Sequence, residues 1–369
     1  MPEYATEVRA ALDAAGPDAG GPRVWQHLGK AGVLAALYPP PARPGRASRP
    51  SAPRLAVLLG EVDCRYGLGV SVCVCVQAAT AVPVLAEGTA SAVVDTAWRD
   101  TVEGRALTAL AATDAGAAGS DLTALTTTVR IDGGLLTVDG AKRWVTAATV
   151  ADRLLVLARH RPGAGITAFT WVLVPADAPG VTIEAAGTPF FGGSGVGHVT
   201  FRDVRLGAAH VVGRVGAGLP SFARNIATER LAGALTATAL TRRVLRETRR
   251  HLTTRQIGGR PMWDNESIRQ RYGRWVLRHR ELEALCARLA PAFDTGSGLV
   301  EGTLLKASAG LAVEEIVGGC ARLFGADGFG PDGPQWLRAE AELFAIGGGV
   351  TELMLAGVAD SADQLLGPG

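Results

Sequence analysis

The fold of this chain is decided by the stretch from residue 126 to residue 148, which reads TTTVRIDGGLLTVDGAKRWVTAA. Two runs rich in β-branched and aliphatic residues, 126–131 and 135–138, flank the tripeptide Asp132-Gly133-Gly134. Such a link between alternating runs is typical of a β-hairpin, because glycines readily adopt the positive φ that a tight turn requires. The stretch therefore predicts paired strands in the middle of the chain.

Further strand patterns follow this hairpin at short intervals and are separated by Pro and Gly. They cover Leu154–Ala158, Thr167–Val174, Val181–Glu184 and His198–Val204. Several short strands at this spacing are typical of a small β-barrel or sandwich. We place this β domain at residues 108–212.

Helical patterns lie on both sides of the β domain. Residues 1–107 predict an N-terminal helical domain, interrupted by a Pro/Arg-rich loop from Pro39 to Pro53. Residues 213–369 predict a C-terminal four-helix bundle. Its four patterns cover Leu219–Thr253, Ser267–Leu289, Thr303–Phe324 and Trp336–Leu366. The fold class is therefore α+β with three domains, near the upper end of what 369 residues allow at about 150 residues per domain.

Composition excludes several classes of protein. Apolar residues make up 47% and the net charge is only +2, which indicates a globular chain without a field for nucleic acid. The Cys and His residues lack metal-ligand spacing, so we expect buried thiols and no metal. No signal-peptide pattern begins the sequence, so a cytoplasmic location is expected. The uncharged run Tyr66–Ala86 contains Ser, Gln, Thr and Pro, and we interpret it as a buried helix rather than a membrane span.

Two polar segments flank the hairpin: AATDAGAAGSD at 111–121 and the Trp144-x-Thr146 triplet. Together they could offer a stacking face and hydroxyl groups to a planar heteroaromatic ring. They could equally be a turn and an edge strand, and the residues alone leave both open. The glycine-rich segment Gly192–Gly197 lacks the strand-then-helix context of a dinucleotide site, and we interpret it as a flexible connection between strands.

Six segments in a fixed order resemble those of the acyl-CoA dehydrogenase family, the flavoenzymes that oxidise acyl thioesters. They are TDAGAAGSD (113–121), DGAKRWVTAA (139–148), FRDVRL (201–206), TERLAG (228–233), RQIGGRP (255–261) and RLFGADGFG (322–330). The resemblance extends over most of the chain and implies the same three-part architecture. Segments 174–181 and 195–206 are most similar to members of specialised-metabolite pathways, which implies a substrate on CoA or on an acyl carrier protein.

The resemblance implies an FAD cofactor, and a homodimer or homotetramer whose subunits share the cofactor sites. The loop has one residue more than the family pattern between its Thr and its Ser, so Thr113 and Asp114 are alternatives for the place facing the flavin. The implied cofactor residues are Thr113 or Asp114, Ser120, Trp144, Thr146, Arg255, Arg322 and Gly325. The implied substrate residues are Ser120 and Arg230.

The chain departs from the family pattern at the catalytic base. The family often has a Glu near the C-terminus, but this stretch reads AIGGGVTE, and the base position falls on Gly347 or Gly348. Proton abstraction needs a positioned base. Some members have theirs on the helix after the β domain, where this chain has Glu229, on a mainly apolar face. Alternatively, Glu229 pairs with Arg224 or Arg230 and is structural.

Three functions follow from the resemblance and this departure. The first is an acyl-thioester dehydrogenase with Glu229 as base and flavin N5 as hydride acceptor. The second is a flavin-dependent monooxygenase or oxidase on the same fold, since the usual carboxylate is replaced by glycine. The third is a non-enzymatic scaffold, which the intact Trp144 and Thr146 disfavour. We predict the first function.

Overall fold

The computed structural model of the chain describes residues 1–39, 49–88, 91–116, 121–163, 165–295, 298–331 and 333–367. The predicted order of a helical, a β and a second helical segment is confirmed. Contacts divide the chain into two compact units, Met1–Glu229 and Arg230–Gly369. The first helical segment and the sheet therefore belong to one unit, and residue 107 marks a change of secondary structure within it.

Helices form the first hundred residues of the first unit. They are α1 (Pro2–Ala15), α2 (Gly21–Lys30), α3 (Val33–Leu37), α4 (Ala52–Arg65), α5 (Leu68–Val76), α6 (Val82–Ala86) and α7 (Ala92–Val102). A π-helical segment, Gln77–Ala81, joins α5 to α6, so that Leu68–Ala86 is one continuous helical run. This run is apolar enough to cross a membrane, but it is 89% buried inside the protein, as a core helix is.

The π-helical segment lies immediately before a proline. The Val82 N–H donates to Gln77 O, five residues back, which is the π pattern. Pro83 has no N–H, and in a regular α-helix its ring would clash with the carbonyl of Ala79. The wider turn relieves this crowding. It also releases Ala78 O from Val82, and the buried Tyr38 hydroxyl donates to that oxygen at 2.7 Å.

The β segment forms one mixed sheet of eight strands among the described residues. The strands are β1 (Thr108–Ala111), β2 (Thr128–Asp132), β3 (Leu135–Val145), β4 (Arg153–Arg159), β5 (Phe169–Pro175), β6 (Val181–Ala185), β7 (Gly197–Gly207) and β8 (Val211–Val212). Their order is β6-β7-β3-β2-β4-β5-β8, and β1 pairs in parallel with β4. The predicted hairpin is confirmed as β2 and β3, with Gly133 and Gly134 at φ 54° and 86° in the turn.

The central strand β4 is buried on both faces. Leu154 and Val156 belong to the core that β3 and β7 enclose. Leu155 and Leu157 belong to a second core with Leu85 of α6 and other helical residues. Burial on both faces explains why this strand is apolar at consecutive positions rather than at alternate ones.

The long helix α8 (Gly218–Thr254) begins in the first unit. The Glu87 carboxylate, at the end of α6, accepts hydrogen bonds from three residues in the first two turns of α8. The donors are Ser221 Oγ at 2.8 Å, Arg224 Nη2 at 2.8 Å and Asn225 Nδ2 at 3.2 Å. The start of α8, which leads to Glu229, is thereby fixed to the N-terminal helices.

The second unit contains the rest of α8, a hairpin of β9 (Gln256–Ile257) and β10 (Arg260–Pro261), and further helices. Those helices are α9 (Glu266–Thr295), α10 (Leu299–Arg322), α11 (Pro334–Ala341), α12 (Leu343–Ile346), α13 (Thr351–Asp360) and α14 (Ala362–Leu366). Among the described helices, α10 contacts α9, α11, α12 and α13.

The prediction of a fourth long helix over Trp336–Leu366 is wrong, because this stretch is divided into α11 to α14. Gly348 and Gly349 interrupt it with φ of 73° and 124°, values that a helix does not contain. Apolar composition over Pro334–Asp360 matches that of a membrane span, which the sequence analysis did not anticipate. Only 17% of this segment is buried, and length and composition alone are weak evidence for a membrane.

The described cysteines differ in exposure. Cys73, Cys75, Cys286 and Cys320 are buried as expected. Burial raises the pKa of the Cys73, Cys286 and Cys320 thiols to about 12, about 11 and about 11, so these three remain protonated and unreactive near neutral pH. Cys64 is exposed, contrary to the expectation of buried thiols, because it lies on the outer face of α4.

Candidate functional site

A β-bulge near the end of β3 turns Trp144 outward. The register between β3 and β7 shifts between Lys142 and Val145, so that β3 contains one residue more than its partner. Trp144 has a left-handed backbone with φ 54°, and its indole is 60% exposed. Bulges are a common means of aiming a side chain away from a sheet. An aromatic face is thus presented at the surface of the first unit.

His198 on β7 supports this tryptophan. The Trp144 N–H donates to His198 Nδ1 at 3.2 Å, and the two rings meet edge to face with centroids 5.3 Å apart. Because Nδ1 accepts, the proton of the neutral imidazole lies on Nε2. The sequence analysis missed His198, since only the pairing of β3 with β7 places it beside Trp144.

The loop that follows β1 is attached to the same end of β3. The Arg143 N–H donates to Thr113 O at 3.0 Å, and the Ala115 N–H donates to Ala141 O at 3.2 Å. Thr113 and Thr146 are both half-buried. The structure therefore brings Thr113 to the end of β3 that carries Trp144 and directly precedes Thr146. Ser120 lies outside the described residues.

A buried ion pair lies beneath this loop. Lys142 Nζ is 2.6 Å from Asp114 Oδ1, and neither side chain has any exposed surface. Lys142 Nζ also donates to Ala112 O at 2.8 Å and to Leu157 O at 2.7 Å. Asp114 accepts further bonds from Thr127, through its N–H and its hydroxyl, both at 2.8 Å. The pair joins the loop, β2, β3 and β4.

Burial and charge act against each other on this pair. Burial alone would raise the pKa of Asp114, but Lys142 and the Thr127 donors lower that pKa below its ordinary value. Burial lowers the pKa of Lys142 to about 8, against the attraction of Asp114. Both groups are charged at neutral pH. The carboxylate of Asp114 is thus engaged below the surface, so of the two alternatives only Thr113 has a partly exposed side chain. Its contact with a cofactor stays a prediction.

Glu229 is the last residue of the first unit, and its carboxylate is half-buried. The hydroxyl of Thr80, in the π-helical segment, donates to Glu229 Oε2 at 3.1 Å. Arg224, one of the two proposed partners of Glu229, instead donates to Glu87 through Nε and Nη2. Thr80 was missed from the sequence because it lies within an almost uninterrupted apolar run.

In the second unit, Arg230 contacts the glycine-rich turn where the family base is replaced. Its Nε donates to Gly348 O at 3.1 Å, and its Nη1 donates to Thr303 Oγ1 at 2.9 Å. Arg230 therefore holds the turn between α12 and α13 against α10. The predicted role of Arg230 in substrate binding stays a prediction.

The other predicted cofactor residues of the second unit are exposed. Arg255 Nη1 lies 3.6 Å from Asp327 Oδ2, which places the residues after α8 close to the turn after α10. Gly325 opens that turn with φ 59°, and Arg322 is the last residue of α10. Their predicted roles as cofactor residues stay predictions.

The segment Gly192–Gly197 connects β6 to β7, as expected, but it is not loose. The Ala147 N–H donates to Ser194 O and the Gly21 N–H donates to Gly193 O, at 3.0 and 2.9 Å. These bonds hold it against α2 and against the residues after β3. Within the described part of the chain, no three His, Cys, Asp or Glu side chains are grouped as metal ligands.

Comparison with known proteins gives consistent matches. Two family models match: the middle domain of acyl-CoA dehydrogenases over residues 109–204, and their C-terminal domain over residues 216–362. Together they cover well over half of the chain. The structure is similar to that of an FAD complex of PigA, with a TM-score of 0.87, 19% identity, and coverage of 99% of this chain and 97% of that one. At this identity the likeness shows the fold alone.

Two curated relatives have informative names. The chain is 26% identical over 341 residues to the acyl-[acyl-carrier-protein] dehydrogenase MbtN of Mycobacterium tuberculosis, covering 89% of this chain and 83% of that protein. It is 25% identical over 251 residues to the acyl-CoA dehydrogenase AFT10-1 of Alternaria alternata, covering 64% of this chain and 57% of that protein.

Proposed function

We propose that this chain, which belongs to the acyl-CoA dehydrogenase family and is an FAD-dependent oxidoreductase of that type, oxidises an acyl thioester. Glu229 is proposed as the base of the reaction. The Glu229 carboxylate would accept the proton α to the thioester carbonyl. A bound FAD would supply the two-electron acceptor for the hydride of the β carbon. The product would be a carbon–carbon double bond conjugated with the carbonyl.

The residues at the end of β3 fit a flavin. An exposed indole offers a face for stacking, and it lies beside half-buried hydroxyls that form hydrogen bonds with a polar heteroaromatic edge. The bound FAD supplies the two-electron acceptor. Trp144 would orient the ring and exclude water from one side, and Thr113 and Thr146 would donate hydrogen bonds to its polar atoms. The ion pair between Lys142 and Asp114 holds these groups in place.

One observation carries the choice of base: the half-buried Glu229 carboxylate accepts a hydrogen bond from Thr80, while Arg224 is bonded to Glu87. The Thr80 hydroxyl stabilises one oxygen without adding a positive charge. Glycine at 347 and 348 has no group that accepts a proton.

The acyl group is proposed to be carried by an acyl carrier protein or by CoA. The relative MbtN matches 89% of this chain and is named for an acyl-carrier-protein substrate. This name supports the carrier-bound thioester. The name of the relative AFT10-1 supports acyl-CoA.

A second candidate function is an oxygen-using flavin monooxygenase or oxidase. The observation that favours it is the turn Gly347–Gly349, which has no carboxylate where the family often has its catalytic Glu. In this case a reductant is required, and oxygen is consumed together with substrate hydroxylation or with peroxide release.

The deciding experiment is an anaerobic titration of the purified holoprotein with acyl thioesters on CoA and on carrier protein. Loss of the oxidised flavin absorbance without oxygen supports dehydrogenation. Glu229→Gln should abolish this bleaching while FAD stays bound, because the amide keeps the size of the side chain but accepts no proton. Asp132→Asn, an exposed change in the hairpin turn, is the matched control. Full bleaching by Glu229→Gln removes Glu229 from the mechanism. Bleaching by a chemical reductant alone favours the oxygen-using reaction.

A further inference from the structure

The π-helical segment Gln77–Ala81 has an irregular backbone in the middle of a buried helical run. Such π-turns occur mostly as single insertions and are frequent at functional sites. Pro83 accounts for the wider turn locally, as described above. It does not account for the polar residues of the segment, Gln77 and Thr80, which are almost fully buried, at 0% and 1% exposure.

Both polar side chains of this segment have specific partners within the first unit. Gln77 forms a pair of hydrogen bonds with the backbone of Thr108, the first residue of β1: its Nε2 donates to Thr108 O at 2.9 Å, and its Oε1 accepts from the Thr108 N–H at 3.1 Å. Thr80 donates to Glu229 Oε2 at 3.1 Å. The amide of Gln77 thus fixes one end of the segment to the sheet.

A third contact fixes the backbone between these two side chains. The Tyr38 hydroxyl donates to Ala78 O at 2.7 Å, and burial raises the pKa of Tyr38 well above its ordinary value, so this donor stays protonated. An unpartnered buried polar group is unfavourable, so each contact disfavours other arrangements of the segment. The sheet through Thr108, Tyr38 at the end of α3, and Glu229 of α8 therefore all constrain the position of Thr80.

We propose that the π-helical segment is a positioning element for the Glu229 carboxylate, with Thr80 as the residue that acts on it. By donating to Oε2, Thr80 fixes the rotation of the carboxylate and so sets the direction in which Oε1 faces. Thr80 is 1% exposed and, in this proposal, acts through Glu229 as a positioning residue. The inference deepens the proposed function and rests on it, because an oriented carboxylate matters for the reaction only if Glu229 accepts the proton.

The inference makes Thr80 a specific donor rather than a space-filling residue. Valine has nearly the same shape as threonine and lacks the hydroxyl, whereas serine keeps the hydroxyl and lacks the methyl group. A hydrogen bond donated to a carboxylate favours its charged form. Loss of that bond should therefore move the ionisation of Glu229 to higher pH by about one unit, the shift that corresponds to one charge-assisted hydrogen bond.

The test combines one measurement without substrate and one with substrate, both on the FAD-loaded protein. Infrared difference spectra recorded against pH follow the Glu229 carboxylate, identified as the band that Glu229→Gln lacks. Flavin reduction by a saturating acyl thioester that bleaches the wild-type flavin is followed anaerobically by stopped flow. We expect Thr80→Val to raise the infrared midpoint by about one pH unit and to slow reduction about tenfold, as loss of one oriented contact does. Thr80→Ser should match the wild type in both.

Two results overturn the inference. One is an unchanged infrared midpoint in Thr80→Val, and the other is a Thr80→Ser variant as impaired as Thr80→Val, which would show that only packing was lost. Thermal unfolding of both variants separates a packing defect from the loss of the hydrogen bond. If the acyl thioester still reduces the flavin of the Glu229→Gln variant while Thr80→Val shifts the infrared midpoint, the proposed role of Glu229 as base fails. The coupling of the Thr80 and Glu229 side chains then still stands.

Discussion

Replacing Lys142 by methionine should destabilise the first unit strongly, although the side chains of lysine and methionine have a similar shape. The substitution removes the Nζ that lies 2.6 Å from Asp114 Oδ1 and that donates to Ala112 O and Leu157 O. A buried carboxylate is then left without its countercharge, and two carbonyl oxygens lose a donor. The loop that carries Thr113 loses an attachment to β3 and β4.

The expected loss follows from these contacts. Removing one partner of a buried ion pair lowers the free energy of unfolding by about 3–5 kcal/mol. Asp114 keeps the hydrogen bonds that Thr126 and Thr127 donate to it, and these compensate part of the lost countercharge. The lower end of the range, about 3 kcal/mol, therefore applies. For a unit of this size, about 2–4 °C of Tm corresponds to each kcal/mol. The unfolding temperature should therefore fall by about 6–12 °C.

Differential scanning calorimetry of wild type, Lys142→Met, Asp114→Asn and the double variant measures this loss. Lys30→Met, at an exposed lysine of the same unit, is the matched control and should leave the transition unchanged. The double variant should lose less than the sum of the two single ones, because no uncompensated charge remains. A loss below about 1 kcal/mol for Lys142→Met, or strict additivity in the double variant, would show that the buried ion pair does not stabilise the first unit in this way.

Three further outcomes are expected. His198→Leu should weaken FAD binding up to about tenfold in a flavin fluorescence titration, because the backbone N–H of Trp144 loses its acceptor. His198→Asn should bind FAD nearly as the wild type does. Equal affinities of the Leu and Asn variants for FAD would contradict this prediction. Gly348→Ala should lower the free energy of unfolding by about 1 kcal/mol or more because φ is 73°. Gly347→Ala, at φ −66° and with the flexible Leu343 Cδ1 3.1 Å from the added methyl group, should lower it less in denaturant titrations. Equal losses in the two variants would count against this prediction. Burial lowers the pKa of His279 below 6.5, so the unfolded state takes up the proton first as pH falls, and stability should decline below pH 6.5. Urea unfolding at pH 7.5 and pH 5.5 should show a smaller decline in the free energy of unfolding for His279→Gln than for the wild type. An identical decline would show that His279 does not cause this pH dependence.

Local sequence patterns predicted most of the regular structure. The hairpin at Asp132-Gly133-Gly134 and the helix that carries Glu229 were predicted because turn chemistry and apolar periodicity act over a few residues. The fourth long helix was predicted wrongly for a related reason. Apolar periodicity continues through residues 347–349, but three consecutive glycines weaken a helix at every position and allow positive φ, and this local signal outweighs the periodicity.

The arrangement of the candidate site was harder to predict. The outward position of Trp144 depends on a register shift between β3 and β7, two strands that are far apart in the sequence. The burial of Asp114 depends on Lys142, whose own position depends on β4. No single-sequence pattern encodes such cross-strand contacts. Only Pro83, within an otherwise helical run, gave a sign of the irregular turn that directs Thr80 to Glu229.

The bonds that Glu87 receives also bear on how the protein is made by the ribosome. Its three partners on α8 follow it by 134 to 138 residues, and Thr80 precedes Glu229 by 149 residues. A nascent chain that has emerged only as far as the last strand of the sheet lacks all of these partners. At the usual speed of synthesis, about 5–20 residues per second, the start of α8 follows within a few seconds. During that interval Glu87 and Thr80 lack these partners on α8, so the first unit completes these contacts only after Glu229 has emerged.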